Sequence, residues 1–429
     1  QRFTSPPPDH MRRLLIHQDW NLPVLQGAIT APSLRPDGTL LATPGYDADS
    51  RLFYQPMPGL EMPDLPDEPT TDERLGALDL LTETIGEFPY ADQASRANAL
   101  ALILTCALRP AIQGPVPMAL LDATRQGTGK TLLAETATII GCGSAAPLWP
   151  PAREEEEWRK RLMSGLIGGT PAIIFDNIVE TLESAALASV LTATDYEDRV
   201  LGATATSRVP VHTVFLATGN NIRTGADLAR RCYRIKLDSQ MERPWIGRRF
   251  SRVLPAWALD HRRELLAAAL ILGRAWFTAG CPTPKTTQLG RFEAWSTIIG
   301  GVLQVAGVEG FLGNLEDIYA DGDDESAHWG TFLVAWATYW GARPARVGDL
   351  IQFMEQNWSM REALPPDLLA HYDRPASFMA RLGCALRKRD GLVVGGYRLI
   401  GTRDRRTKNL VWTVRATGSD ADHIAEALS

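Results

Sequence analysis

The sequence predicts an α/β protein built on a parallel sheet, and three observations carry that reading. Between residues 116 and 218, apolar runs of strand length alternate with stretches of helix length. A glycine-rich turn, "QGTGKT", separates the first run from the first helix, and the later runs "AIIFDN" and "VFLATGNN" end in small polar residues. Apolar strands separated by helices imply parallel pairing with both sheet faces covered.

In chain order, residues 1–71 are punctuated by Pro and Gly, with short strand-like runs at Gly38–Ala42 and Arg51–Tyr54. They read as a loop-rich N-terminal segment. Apolar residues then recur at helical spacing from Asp72 to Leu108 and break at Phe88-Pro89, giving two helices. The core alternation follows: strand Val116–Asp122, helix Thr131–Ile140, a strand near Leu148, helix Glu154–Leu166, strand Ala172–Asp176, helix Leu182–Thr194 and strand Thr213–Thr218. A helix and strand in "GADLARRCYRIKLD" close this region, which is expected to run over 72–243. From Pro244 to Gly341 the chain reads as helical and rich in Trp, a lid-like region expected over 244–350. The last region, 351–429, carries the helix "SFMARLGCALRKR" and the strands "GLVVGGYRLIG" and "NLVWTVR", joined by "TRDRRTK".

The 429 residues are enough for roughly two to four domains. The longest apolar stretches, Ala99–Leu108 and Leu265–Leu272, fall short of the roughly 18 to 20 residues a membrane span needs. The chain opens at Gln1 without a basic and apolar leader, and the absence of Met there suggests a piece of a longer polypeptide. Five scattered cysteines form no C-x-x-C pair, which disfavours zinc and a disulfide framework and leads us to expect buried thiols in a cytoplasmic protein. The net charge of -6 hides a strong asymmetry: nine acids against one base from Glu61 to Glu87, and eleven bases against two acids from Arg374 to Arg415.

"ATRQGTGKT" departs from the phosphate-loop pattern only at Thr124, which stands where the first glycine is usual. Such a loop works because backbone N–H groups, a helix start and one lysine converge on an anion. The cradle is expected over Gln126, Gly127, Thr128, Gly129, Lys130, Thr131 and Leu132, with Lys130 reaching the β- and γ-phosphates of ATP and Thr131 holding Mg2+. Asp176, ending its strand, is the second candidate for Mg2+, with Asn177 beside it. Asn220 and Asn221 end the next strand, where an amide could orient water, and Arg230 or Arg231 could reach the γ-phosphate held by a neighbouring subunit.

That order of motifs resembles the AAA+ ATPases. "TGNNI" followed by "ADLARRCYRIKLD" is similar to the replicative helicases and primase-helicases of phages and mobile genetic elements, near the MCM and superfamily 3 helicases. The resemblance covers Asp72–Asp238 and implies a five-stranded P-loop core, a ring of six identical subunits, ATP at subunit boundaries and single-stranded or forked DNA in the channel. It also assigns roles: Lys130 and Thr131 match the Walker A pair, Asp176 the Walker B aspartate, Asn220 or Asn221 sensor 1, and Arg230 or Arg231 the arginine finger. The family's usual catalytic glutamate is replaced by Asn177, whose amide can orient water but cannot accept its proton; Glu180 and Glu135 are the nearest alternatives in sequence.

DNA contacts are expected in two places. "EDRVLGATATSRVP" is long enough for a channel hairpin with Arg199 and Arg208 near its ends, or is an ordinary connection whose arginines pair with Glu197 and Asp198. The C-terminal region has the layout of a winged helix, with Arg387, Lys388 and Arg389 on the helix and Arg403, Arg405, Arg406 and Lys408 at the hairpin tip; the alternative is a basic tip that only keeps the hairpin soluble. Among other features, "REEEEWRK" reads as a solvated helix face, "DGDDE" at 321–325 as an acidic turn, and six tryptophans between 257 and 340 as lid packing. Arg248, Arg249, Arg262 and Arg263 are candidates for a second sensor arginine. The resulting expectation is an ATP-driven DNA helicase or translocase, with two alternatives: an initiator or helicase-loader ATPase that binds DNA without unwinding it, and a DNA-binding module with a relic nucleotide site.

Overall fold

The computed structural model describes residues 9, 23–199, 206–241, 243–244, 250–285, 288–403 and 409–417, with only the backbone described for 320–326 and 376. The chain divides into two compact units, Gln1–Leu315 and Glu316–Ser429.

The first unit begins with short strands β1 (Gly27–Ile29), β2 (Ser33–Leu34), β3 (Leu40–Leu41), β4 (Gly45–Asp47) and β5 (Leu52–Tyr54). They form a three-stranded sheet, β1-β5-β4, and a two-stranded pair, β2-β3. The sequence reading anticipated only the neighbourhoods of β3 and β5, because three-residue strands leave too little alternation to detect. Helices α1 (Thr71–Ile85) and α2 (Gln93–Leu108) follow as expected. Thr70 and Glu73 form a capping box at the start of α1, and the Asp92 side chain accepts from the Ser95 N–H at 2.6 Å to start α2. Residues of α2 are buried almost all round, as expected of a helix enclosed on every side.

The main sheet is parallel and five-stranded, in the order β12-β6-β11-β8-β7. Its strands are β6 (Met118–Ala123), β7 (Leu148–Trp149), β8 (Ala172–Ile178), β11 (Val214–Asn220) and β12 (Cys232–Leu237). All six residues of β6 are buried, as a central strand covered on both faces requires. Between these strands run α3 (Lys130–Cys142), α4 (Glu155–Ile167), α5 (Ala185–Leu191), the hairpin β9 (Asp195–Arg199) and β10 (Thr206–Pro210), and α6 (Ala226–Ala229). Trp158 and Leu162 of α4 and Leu187, Val190 and Leu191 of α5 pack on one face against Met118, Leu120, Phe175 and Phe215. Helix α5 is shorter than the predicted 182–194, because Ser184 caps it, accepting from the Leu187 N–H at 3.1 Å. The unit closes with α7 (Leu254–Asp260), α8 (Arg262–Thr278) and α9 (Glu293–Ala306), where Trp276 and Trp295 are buried as the lid reading expected.

The second unit contains nearly all of α10 (Leu315–Tyr339), then α11 (Val347–Gln356), α12 (Trp358–Glu362), α13 (Pro366–Leu369), α14 (Pro375–Lys388) and the antiparallel sheet β13 (Val393–Val394), β14 (Tyr397–Arg403) and β15 (Leu410–Ala416). Phe378, Leu382 and Leu386 of α14 are buried with Leu399, Trp412 and Val414 of the sheet and with Trp329 and Trp336 of α10. Residues 321–325 belong to α10 and are not the acidic turn the sequence suggested; a run of Asp and Gly disfavours helix locally, but the apolar pattern on either side overrides it. Cys281 and Cys384 are exposed, contrary to the expectation of buried thiols, since each lies where an element ends or on a helix's outer face. Among the described residues no helix is long and apolar enough to cross a membrane.

Between β10 and β11, burial and the charge of Arg109 pull the His212 imidazole from 6.5 down to about 4, against a weaker opposing effect of Asp195. Arg109 is itself buried and donates to the carbonyls of Ile112, Gly114 and Val211. An unfolded chain takes up a proton near pH 6.5 that folded His212 refuses until about pH 4, so its stabilising effect is complete above pH 6.5 and is lost as pH falls toward 4. At about 1.4 kcal/mol per pKa unit, the loss approaches roughly 3 kcal/mol. Urea unfolding at pH 7 and pH 4.5 should show a smaller acid loss for His212→Gln than for the parent; equal losses would mean that His212 titrates normally.

Candidate nucleotide site

The glycine loop lies between the carboxyl end of β6 and the start of α3, beside the ends of β8 and β11, where the strand order places a crevice in open parallel sheets. Gly127 and Gly129 have φ of 74° and 99°, the left-handed region that glycine enters at no steric cost. Thr124 needs no such freedom: it is absent from the positive-φ positions, and its hydroxyl faces Asp238 at 3.5 Å. The one departure from the loop pattern is therefore compatible with the turn.

Lys130 is 9% exposed, and its Nζ donates to Asn220 Oδ1 at 2.7 Å and to the Arg125 carbonyl at 3.3 Å. Burial holds its pKa below the usual lysine value, while Asp122 and Asp176 pull the other way. Thr131 Oγ1 donates to Asp176 Oδ1 at 3.1 Å, and Thr218 Oγ1 donates to the same oxygen at 2.7 Å. The expected set Lys130, Thr131, Asp176 and Asn220 is thus brought together in one place.

Asn177 and the pair Asn220 and Asn221 are resolved by backbone geometry. Asn177 (φ 61°) and Asn221 (φ 50°) both occupy the left-handed region, which Asn tolerates better than other residues with a Cβ. Asn177 forms a bulge: β8 and β11 pair Phe175 with Ala217 and Ile178 with Gly219, so Asp176 and Asn177 stand opposite Thr218 alone. The Asn177 N–H donates to Thr218 Oγ1 at 3.2 Å, and its side chain is exposed. Gly219 is required where the strands meet, since a Cβ there would lie 2.6 Å from the Ile178 carbonyl oxygen. Asn221 is a turn residue whose N–H donates to the Ala123 carbonyl at 3.0 Å; Asn220, and not Asn221, contacts the lysine.

Of the two alternative carboxylates, Glu135 lies one helical turn beyond Thr131 on the same face of α3. Burial and the Asp176 charge raise its pKa above the usual glutamate value. Glu180 is exposed beyond the end of β8. The two arginines also separate. Arg231 Nη1 donates to the Ala188 carbonyl and to Thr192 Oγ1, both at 2.8 Å, and Nη2 meets Asp227 at 2.8 Å. It ties α5 to α6, with its side chain 19% exposed. The Arg230 side chain is 72% exposed, with Asp227 at 3.3 Å. Among the second-sensor candidates, Arg248 and Arg249 lie outside the described residues. Arg262 is buried and donates to the Ile139 carbonyl at 3.0 Å, at the far end of α3 and about 14 Å along the helix from Lys130. Arg263 pairs with Glu264.

Sequence reasoning missed Thr218, whose only signal was its place before "GNN", and the aromatic wall of the loop. Phe88 is buried, its ring 5.2 Å from that of Phe250, and both stand against Gly129. It also missed the buried Asp122. That carboxylate accepts from the Ile222 N–H at 3.0 Å and lies 3.8 Å from Arg234, linking β6, β12 and the turn after β11.

The segment after α5 forms the expected hairpin, β9 and β10, with Arg199 opposite Thr206 and the tip outside the described residues. Arg199 is exposed. Arg208 pairs with Asp195 at 3.2 Å, and Asp198 is held by Arg159, so the pairing with Glu197 and Asp198 anticipated for these arginines does not form. In "REEEEWRK", Lys160–Glu156 and Arg161–Glu157 are the expected solvated pairs, whereas Glu155 accepts from Ser184 at the start of α5. In the second unit Arg387 and Lys388 are exposed at the end of α14 and Arg403 at the end of β14; Arg405, Arg406 and Lys408 lie outside the described residues. Arg389 lies over the Trp329 ring at 4.5 Å, a packing role.

No protein-family model and no curated protein matches the chain. Solved structures align loosely. One described as the apo A form of the NrS-1 C-terminal region covers 86% of this chain and 81% of its own, with 11% identity and a TM-score of 0.40. The SCCmec type IV Cch protein, described as an active helicase, covers 81% and 67% with 13% identity and a TM-score of 0.33. A JCV helicase structure covers 58% and 73% with 15% identity and a TM-score of 0.25. Likenesses this loose carry no functional argument; the site residues must carry it.

An added methyl at Gly129 would sit 3.0 Å from the Phe88 ring on a backbone L-residues avoid, whereas one at Gly114 (φ 107°) meets open space. Gly129→Ala is therefore expected to lose about 2 kcal/mol and more than Gly114→Ala. Equal losses in chemical unfolding would mean that the aromatic wall does not constrain the loop.

Proposed function

We propose that the chain is an ATP-dependent DNA helicase or translocase that works as a ring of six copies in the replication of a phage or mobile element. On this reading 72–243 is an AAA+ core, 244–350 a helical lid and 351–429 a winged-helix-like DNA-binding region, after an N-terminal lead-in. The observation that carries it is the buried Lys130, held at 2.7 Å by Asn220 from the next strand while Thr131 and Asp176 meet at 3.1 Å beside it. Lysine, hydroxyl, carboxylate and strand-end amide around a glycine loop suit a nucleoside triphosphate.

The hydroxyl and carboxylate of Thr131 and Asp176 fit Mg2+, which takes few protein ligands and would there offset charge on the β- and γ-phosphates. Lys130, desolvated and poised, receives the phosphate anion. Asn220 orients the attacking water, and Glu135 accepts its proton, its raised pKa making it a better match for general-base work near neutrality. Arg230, the exposed arginine of the pair, stabilises the γ-phosphate on the neighbouring copy. The ATPase-switch reading, an initiator or loader, is favoured by one observation: Asn177 presents an amide at the position where related enzymes carry a carboxylate.

The test is ATP hydrolysis and forked-DNA unwinding by the purified chain. DNA-stimulated hydrolysis and unwinding are expected, both falling at least about 100-fold in Lys130→Ala and turnover falling about 10- to 100-fold in Glu135→Gln with ATP affinity kept. ATP binding without turnover, with hydrolysis appearing in Asn177→Glu, would replace the helicase by the switch.

A further inference from the structure

In the second unit β14 and β15 pair antiparallel, and their register sets Arg398 directly opposite Arg415. Both residues are exposed. Leu399 and Val414, one position along, point into the core, so the two arginines share the outer face of the sheet. Residues directly opposite have Cβ atoms about 5 Å apart, and like charges placed so destabilise the pair. Neither guanidinium makes a hydrogen bond or ion pair with any described residue. The strand neighbour of Arg398 on its other side is Val393, an apolar side chain 47% exposed that offers no countercharge.

We propose that Arg398 and Arg415 form a phosphate clamp for a nucleic-acid backbone, on the sheet face at the base of the hairpin. Two adjacent guanidiniums with donors to spare can bracket one phosphate with charge-assisted hydrogen bonds, and the anion removes the repulsion that the bare pair suffers. The clamp is separate from the hairpin tip: Arg403, at the tip end, lies on a strand position of opposite facing. The inference rests on the nucleic-acid reading of this region and adds to it a binding position that carries no sequence information, since phosphates position and bases specify.

The experiment measures binding of a fluorescent 30-nucleotide strand and of the matching duplex to the full chain, across salt concentrations, for the parent, Arg398→Gln, Arg415→Gln and Arg398→Glu. Each Gln variant should bind several-fold more weakly and reduce the slope of log affinity against log salt by about 1. Thermal unfolding without DNA should show the Gln variants at least as stable as the parent, because a repulsion has been removed. Arg398→Glu guards against a folding defect: it replaces the repulsion by a cross-strand ion pair, so it should keep the parent's stability while losing both phosphate contacts. Parent-like affinity and salt slope in all three variants, with the parent itself binding, overturn the clamp. A parent that binds neither strand overturns the nucleic-acid reading and the clamp with it.

Discussion

A buried ammonium must be answered by oxygen atoms, and that constraint organises the first unit. Lys130 starts a helix whose amino end already carries positive character, so its charge is unfavourable there unless acceptors or an anion are close. Asn220 supplies one from β11, the loop's own carbonyl supplies another, and Asp122 and Asp176 contribute their field from β6 and β8. Three neighbouring strand ends are thereby fixed around one side chain. Parallel strands make this possible, because every carboxyl end lies on the same edge of the sheet.

The parts legible in the sequence are those set by burial and by backbone chemistry. The strands β6, β8 and β11 show because buried parallel strands read as continuous apolar runs, and the loop shows because few residues other than glycine can make its turn. Lys130, Thr131 and Asp176 are legible as neighbours for the same reason, each lying at or near a strand or helix end that the pattern marks, whereas the choice between Asn220 and Asn221 is not. What the sequence left open depends on geometry without periodicity. The bulge opposite Thr218 has no linear signal, and neither does the ring of Phe88 against Gly129, 41 residues later in the chain. Arg230 and Arg231 are adjacent identical letters, separated only when one is seen to hold α5 against α6. Helix Leu315–Tyr339 ran through residues of poor helix propensity because its two ends are bound by packing, so a local acidic cluster misled the reading.

The second unit poses the opposite electrostatic problem. There the cations are not buried but crowded, and Arg389 is relieved by an aromatic face while Arg398 and Arg415 are left facing one another. Sheets ordinarily place opposite charges or polar residues at such pairs. A repulsive pair retained on an otherwise well-packed sheet is a small local cost, of a few tenths of a kcal/mol to about 1 kcal/mol, that an anion would convert into a gain.

Asn177 joins the two questions of fold and chemistry. Its φ of 61° is imposed by the bulge that turns Asp176 toward Thr131 and Thr218. At such a position Asn is better tolerated than Glu, whose longer side chain gains nothing from the left-handed backbone and forfeits roughly 1 kcal/mol. A glutamate at this position is thus disfavoured by the same distortion that positions the aspartate. On the proposed ATPase reading, the carboxylate that accepts the proton comes from an element with an ordinary backbone, the interior of α3, one turn past Thr131. Glu135 occupies it, where burial and, secondarily, the neighbouring Asp176 charge raise its proton affinity. The bulge that fixes Asn177 also sets the Asp176 carboxylate beside α3, where its charge adds to the effect of burial on Glu135.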